Sequence, residues 1–408
     1  GLQLPRRRPA RRGRSLSLNP NRRRLRETSL RIAFHTPLNA LGDDGISGDR
    51  RMARQLAAAL GSLGHTVEPV AAERTYLRQT SAASFADQQR DAARRREHLL
   101  AEYRAGRPRP DIWFTYHNYY RAPDLLGPDI AEALGIPYVT AESSDSSRRS
   151  RDEWAAQSAA VRRALAAGDV HFHFTDRDRQ GLEPWRRQGT DLVALPPFVD
   201  VPVMSARPPG TAGTARLITV AMMRGGAKQS SYLALARILG RLRGDDWQLG
   251  VVGDGPLRGT VETAFAGLPA ERITWHGRLD HAATLEQLAA HDVFVWPGVG
   301  EAYGLVYLEA QATGLPVVAF DSGGVAATMR PGETALLIPE HDEETFAAAL
   351  AQLLRDRQLR DRMGEAARRF ILAERTIARA AERLADGLAR ACRNRAGKLL
   401  PPAAETAR

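Results

Sequence analysis

The sequence predicts an α/β protein made of two doubly wound, Rossmann-like domains facing a central cleft. Three observations carry that expectation: a length of 408 residues, a strand–helix alternation that runs twice along the chain, and a proline- and glycine-broken stretch between the two runs. Single cores stop growing at roughly 250–300 residues, so a chain of this length divides. Short apolar runs alternating with amphipathic stretches build parallel sheets covered by helices on both faces.

In the first run, strands are expected at Arg31–His35, Thr66–Val70, Asp111–Tyr116, Pro137–Thr140, Val170–Thr175 and Asp191–Leu195, with helical patterns at 48–62, 84–105, 124–134, 151–167 and 176–188. Together they make a first domain of 30–200. Residues 201–215, with Pro202, Pro208, Pro209, Gly210 and Gly213, read as a linker. The alternation restarts at Arg216. Strands are expected at Leu217–Ala221, Gln248–Val252, Ile273–His276, Val293–Trp296, Val317–Phe320 and Ala335–Ile338, and helices near 229–242, 257–266, 282–290, 304–313, 343–355 and 358–372. These make a second domain of 216–372. A last helical pattern at 375–393 falls in a segment, 373–395, that precedes a tail of 396–408. Ligands of such sheets bind beyond the carboxyl ends of the strands, so the loops that follow strands are where chemistry is expected.

Charge is unevenly placed. The formal net charge is +11, but residues 1–29 hold ten arginines against Glu27, which leaves +2 for residues 30–408. A nearly neutral body gives little support to nucleic-acid binding, which needs a basic face. The Arg/Pro-rich start has no apolar periodicity and is expected to be disordered; contact with an anionic membrane surface is the functional alternative. No run approaches the roughly 18 apolar residues of a membrane span. The single cysteine, Cys392, excludes an internal disulfide framework and a cysteine-built zinc site. With no apolar leader in view, the expected location is cytoplasmic, at most peripheral to the inner face of the membrane.

Residues 292–324 are the most informative segment. A buried strand pattern runs into Pro297-Gly-Val-Gly-Glu301-Ala-Tyr303-Gly304, then a helix carrying Glu309, a stop at Gly314, and a second strand ending in Ser322-Gly323-Gly324. The start of a helix presents unpaired N–H groups and the positive end of its dipole, which suits a phosphate; glycine at 304 lets it approach the backbone around Leu305. Glu301 precedes the helix. Glu309 lies five residues into it, a rise of about 7.5 Å, roughly the span from a diphosphate to the ribose of a nucleotide. By spacing alone, the two acids equally describe a loop carboxylate and a solvated helix residue.

In its context the segment resembles the family 4 retaining glycosyltransferases of the GT-B fold, whose hallmark is a Glu-x7-Glu element in such a loop and helix. The likeness extends through Leu308-Glu309-Ala310, Gly314-Leu-Pro316-Val-Val, Gly323-Gly324 and Gly332-Glu-Thr-Ala-Leu-Leu-Ile. Gly253-Asp254-Gly255-Pro256 is similar to the family's strand-end turn. Met222-Met223-Arg224-Gly225-Gly226-Ala-Lys228-Gln229 is similar to its phosphate clamp, with Gln229 where glycine is usual. The chain has two lysines against 56 arginines, which makes Lys228 conspicuous. A fixed fork of donors and a compact point charge form a workable pair for two bridging phosphates.

The match is looser in the first domain. Gly42-Asp-Asp-Gly45-Ile-Ser47-Gly48-Asp49 resembles the family's first glycine-rich loop, and it also reads as an acidic surface loop in which Ser47 or Asp49 caps a helix. His117 caps the third strand, followed by Tyr119 and Tyr120, which suit either stacking on a sugar or the core. After the fourth strand stands Glu142, where many relatives place a histidine near the transferred sugar. His171 and His173 lie on a strand pattern and read as structural.

The resemblance implies transfer of a sugar, with retention of anomeric configuration, from a UDP- or GDP-linked donor to a glycan, lipid-linked or small-molecule hydroxyl acceptor, as in bacterial polysaccharide or glycolipid assembly. It implies catalysis through Glu301, Arg224, Lys228 and His117. The donor would be held by Glu309, Gly304, Leu305, Tyr303, Gly253 and Asp254, the acceptor side lined by Gly45, Ser47, Gly48, Glu142 and Tyr119. No cofactor or metal is expected, and the last helix is expected to cross back onto the first domain. A nucleotide-sugar epimerase, a phosphorylase and a catalytically silent nucleotide-sugar-binding relative are the alternatives. An NAD-dependent oxidoreductase is disfavoured, because no Gly-x-Gly-x-x-Gly follows the first strand.

Overall fold

β1 (Arg31–His35), β2 (Thr66–Pro69), β3 (Ile112–Tyr116), β4 (Tyr138–Ala141), β5 (Val170–His173) and β6 (Asp191–Ala194) form the first of two parallel sheets, in the order β2-β1-β3-β4-β5-β6. The computed structural model describes residues 29–42, 47–72, 74–200 and 213–399. The expected Arg-rich tail, most of the linker and the final residues lie outside the described residues.

Helices α1 (Gly48–Ser62), α2 (Ala82–Arg104), α3 (Gly127–Leu134), α4 (Ala155–Ala167) and α5 (Asp176–Leu182) connect these strands. On one face Phe34, Phe114 and Phe172 line up across the sheet, with ring centroids 5.4 and 6.2 Å apart, and pack against Leu56 and Leu60 of α1. On the other, Trp113 and Tyr138 pack against Leu99 and Tyr103 of α2 and Ile130 of α3. Burial of both faces explains why these strands read as continuous apolar runs.

β7 (Ala215–Val220), β8 (Trp247–Val252), β9 (Ile273–Gly277), β10 (Val293–Val295), β11 (Val317–Asp321) and β12 (Ala335–Pro339) form the second sheet, in the order β12-β11-β10-β7-β8-β9. It is covered by α6 (Ala227–Arg241), α7 (Arg258–Phe265), α8 (His281–Ala290), α9 (Leu305–Ala312), α10 (Glu343–Arg355) and α11 (Arg357–Glu374). The expected linker's last residue, Ala215, already belongs to β7.

Four helices start or stop more than two residues off their sequence pattern, one of them the last (Ile377–Leu399), which runs past the expected 393 into the expected tail. α3 begins at Gly127 rather than 124, because the Asp124 carboxylate accepts from the backbone N–H groups of Leu126 and Gly127 and starts the helix from outside. α4 begins at Ala155, after a short 3₁₀ turn at Arg149–Arg151. α5 ends at Leu182, ahead of Pro184.

α12 (Ile377–Leu399) lies on the first sheet, where Ala380, Ala381, Leu384 and Leu388 share a core with Phe34, Phe114 and Phe172. A Cβ at Gly387 would run into the Phe172 ring, so the helix approaches the sheet as closely as only glycine permits. The chain returns to the first domain beside its exit: the Val199 N–H donates to the Arg375 carbonyl at 2.8 Å, and Val199 bridges Thr376 in parallel.

Candidate active site

Strand order locates the crevice before any side chain is considered. Sequential strands diverge between β7 and β10 in the second sheet and between β1 and β3 in the first, and such a switch point opens a cleft at the carboxyl ends of those strands. In the second domain the two loops involved carry Arg224 and Lys228 on one side and Glu301 to Gly304 on the other.

The loop after β7 takes its shape from the Gly253–Asp254 turn. A Cβ at Gly253 would collide with the Ala221 carbonyl oxygen, and φ there is +146°. The Met223 N–H donates to the Asp254 carbonyl at 2.9 Å, and the Leu257 N–H to the Met223 carbonyl at 3.0 Å. Gly253 and Asp254 are thus the template against which Arg224 is presented to solvent. The Asp254 carboxylate is occupied locally, accepting from the Gly255 N–H at 2.8 Å. Lys228, one residue into α6, pairs with Glu301 and sits 5.6 Å from the centre of the Trp296 ring, a cation–π contact with a wholly buried indole.

The loop after β10 is held from behind. The Val299 N–H donates to Ser231 Oγ at 2.9 Å and the Gly300 N–H to Ser322 Oγ at 2.8 Å. Gly323 and Gly324 press against the backbone of Glu301 and Ala302 so closely that a Cβ on either would strike a carbonyl oxygen. That contact is the physical content of the Gly-Gly pair. Gly304 caps α9 at φ +76° without a side-chain hydrogen bond, so the N–H groups from Leu305 onward are not capped by a side chain.

α9 buries seven of its eight residues, Glu309 among them at 4% exposure. A carboxylate in that position needs a counter-charge, and it comes from the other domain: Arg51 of α1 pairs with Glu309 and touches His281. Burial pushes the Glu309 carboxyl up, and Arg51 pulls it back. Tyr303 packs edge-on against Phe174, 5.8 Å between centroids, and donates to Glu142 Oε2 at 3.2 Å.

Glu142 follows β4 in the left-handed region, at φ +52°. Its Oε2 also accepts from Tyr116 at 2.8 Å. Burial, then the charges of Asp49 and Asp178, hold its carboxyl well above the ordinary range, and the two tyrosine hydroxyls oppose that shift. His117 follows β3 at φ +66°, its ring 4.8 Å from that of Tyr119 and its Nδ1 3.8 Å from Asp49. Burial lowers the imidazole pKa, against the pull of Asp49. Ser47 caps α1, its Oγ accepting from the Arg50 N–H at 3.3 Å, and Gly48 is the first residue of that helix. Gly45 lies outside the described residues. His171 is saturated by Thr140 Oγ1 at 2.7 Å and the Leu165 carbonyl at 2.9 Å, and burial brings its pKa down to about 4.

The structure therefore joins Lys228 with Glu301 and Glu142 with Tyr303, and leaves Arg224 exposed. Arg51 is the residue that sequence reasoning missed. Its signal was indirect: a helix as apolar as 305–312 forces its one acid to find a cation elsewhere.

The family described as glycosyl transferases group 1 matches residues 214–356. The chain is 34% identical over 194 residues to a phosphatidyl-myo-inositol mannosyltransferase of Mycobacterium leprae, covering 45% of this chain and 50% of that protein. It is 38% identical over 124 residues to a sulfoquinovosyl transferase of Arabidopsis thaliana, covering 30% of this chain and 24% of that one. The matched part thus spans a quarter to a half of these curated relatives. Among solved structures, the fold matches an α,α-trehalose 6-phosphate synthase from Burkholderia multivorans with a TM-score of 0.68 at 17% identity, over 92% of this chain and all of that one. Residues 214–356 are thus similar to the glycosyl transferases group 1 family, and the two six-stranded parallel sheets make a GT-B fold.

Proposed function

We propose that the protein is a retaining glycosyltransferase that moves a sugar from a nucleoside-diphosphate donor, UDP- or GDP-linked, to a hydroxyl acceptor in glycan or glycolipid assembly. The single observation that carries this reading is the junction of Lys228 and Glu301 beside the uncapped start of α9, at the switch point of the second sheet. The names of the matched relatives describe sugar transfer, and their kinship with this chain supports the class.

In this reading the diphosphate sits at the Gly304–Leu305 turn, where backbone N–H groups, Arg224 and Lys228 meet its charge as the bond from the sugar's anomeric carbon to phosphate oxygen breaks. The positive charge comes from the protein's own groups, and no step is assigned to a metal ion. Glu301 orients the sugar hydroxyls and Glu309 the ribose. The acceptor enters from the first domain past His117, Tyr119 and Glu142; its oxygen attacks on the face the phosphate leaves, and a phosphate oxygen takes its proton. Closure of the cleft excludes water and disfavours hydrolysis. Peripheral contact with an anionic membrane is consistent with a lipid-linked acceptor; among the described residues no helix is long and apolar enough to cross a membrane.

Screening UDP- and GDP-sugars for thermal stabilisation identifies the donor, since a ligand at 100 times its Kd adds about 2.7 kcal/mol. With that donor, Glu301→Ala is expected to lower kcat by about 10²–10³, while Glu309→Ala mainly raises the Kd for the nucleotide. Wild-type kinetics in both variants would overturn the assignment.

A further inference from the structure

Away from the Lys228–Glu301 junction, the first domain holds a cavity of about 510 Å³ beside the ends of β1 and β2 and against α2. Its lining includes His35, the last residue of β1, which is 2% exposed and, among the described residues, has no hydrogen bond at either ring nitrogen. The nearest charge is Asp124, 3.6 Å from Nε2. That carboxylate is already taken up by Thr115 Oγ1 at 2.6 Å, the Tyr138 hydroxyl at 2.9 Å and two backbone N–H groups. A buried imidazole left in this way is costly, and buried polar atoms in native folds find partners.

A second orphan faces the same space. Gln88 donates through its amide nitrogen to the Thr75 carbonyl at 2.9 Å, but its Oε1 is buried without a partner among the described residues. Two arginines complete the wall, each fixed by its Nε to a backbone carbonyl: Arg74 to Leu38 at 2.8 Å and Arg95 to Ala71 at 2.6 Å. Asp91, the acid on this wall, is paired with Arg94. Burial lowers the pKa of His35 and so favours the neutral ring. Two anchored guanidinium groups beside unsatisfied neutral donors and acceptors suit a ligand with an anionic end and a hydroxylated body. The volume falls in the usual range for small-molecule sites. Through Leu38, Arg74 is tied to the connection between β1 and α1, one of the two loops at the switch point of the first sheet.

We propose that this cavity binds a phosphorylated polyhydroxy compound of about hexose size, the phosphate on Arg74 and Arg95 and the hydroxyls on His35 and Gln88. The proposal goes beyond the glycosyltransferase reading: His117, Tyr119 and Glu142, past which the acceptor enters, do not line this cavity. Calorimetric titration of the full chain with D-glucose 6-phosphate, D-glucose and inorganic phosphate tests it, with UDP and GDP titrated in parallel. The ester is expected to bind, free glucose not, and Arg74→Ala/Arg95→Ala to weaken the ester by at least about tenfold while nucleotide affinity stays unchanged, which also shows that the variant folds. Ester binding that is absent, matched by glucose, or untouched by the double substitution overturns the proposal. Loss of nucleotide binding alone, with the ester retained, overturns the donor reading and supports the cavity. Co-sedimentation with phosphatidylglycerol vesicles separates the sources of the phosphate: a deficit in the double variant assigns it to a lipid headgroup, equal binding to a soluble ester, and either outcome supports the site.

Discussion

Glu309 and Glu142 approach the same cleft from opposite domains, yet the protein accommodates their carboxyl groups in opposite ways. Glu309, on a helix buried nearly all round, is matched by the full charge of Arg51 from the other domain. Glu142, partly buried and held in left-handed backbone, meets the hydroxyls of Tyr116 and Tyr303 among the described residues, with Asp49 and Asp178 adding to its reluctance to ionise. Burial raises both carboxyls; a full opposite charge restrains the rise at Glu309, while two hydroxyls oppose it at Glu142. The first suits a group that accepts from ribose hydroxyls. The second suits a group that holds Tyr303 whichever way the proton sits.

The largest expected effect breaks the first half of that comparison. Without Arg51, the folded-state pKa of Glu309 rises further above its unfolded value. The folded chain then binds a proton more tightly than the unfolded one, and stability falls as pH climbs from the ordinary carboxylate range toward the raised value. Arg51→Ala should therefore cost about 2 kcal/mol near pH 8, discounted for the partial exposure of Arg51, and much less near pH 5. Urea unfolding at the two pH values checks this, and an equal loss at both would leave the ion pair without the role given to it. His171, with its pKa near 4, erodes stability below about pH 6.5 in every variant alike, so differences between variants are unaffected by it.

A smaller and opposite effect is expected on the other side. Glu142→Gln removes the carboxyl that resists ionisation, so it should gain about 1 kcal/mol near pH 8 relative to wild type and flatten the stability–pH slope. A slope unchanged from wild type would mean that the carboxyl is ordinary. Smallest of all, Tyr303→Phe deletes one hydrogen bond across the cleft and should cost about 0.5–1 kcal/mol. The same change in a Glu142→Gln background sharpens the comparison: a coupling energy near zero would show that Tyr303 is held by packing on Phe174 instead.

These two acids also mark what the sequence made legible. The extents of β1, α1 and α10 follow directly from the residue pattern, because short apolar runs and amphipathic turns are local signals. Lys228 and Glu301 were also within reach, the first at the start of α6 and the second in the loop before α9, each in a local pattern of its own. Arg51 was not. It looks like its neighbours Arg50 and Arg54 on α1, and the contact that distinguishes it spans the two domains. The shortened α5 and the late start of α3 failed for a different reason, since a following proline and a buried Asp124 override helix-like periodicity. Nor could spacing show that Gly323 and Gly324 serve to let one loop lean on another.

The bridge between Val199 and Thr376 has a consequence for how the halves move. The chain's exit from the first domain and its return run side by side and are stitched together there, like two leaves sharing one pin. A joint of that kind swings but resists sliding. The two halves would therefore close by rotation, which brings Arg51 of one against Glu309 of the other.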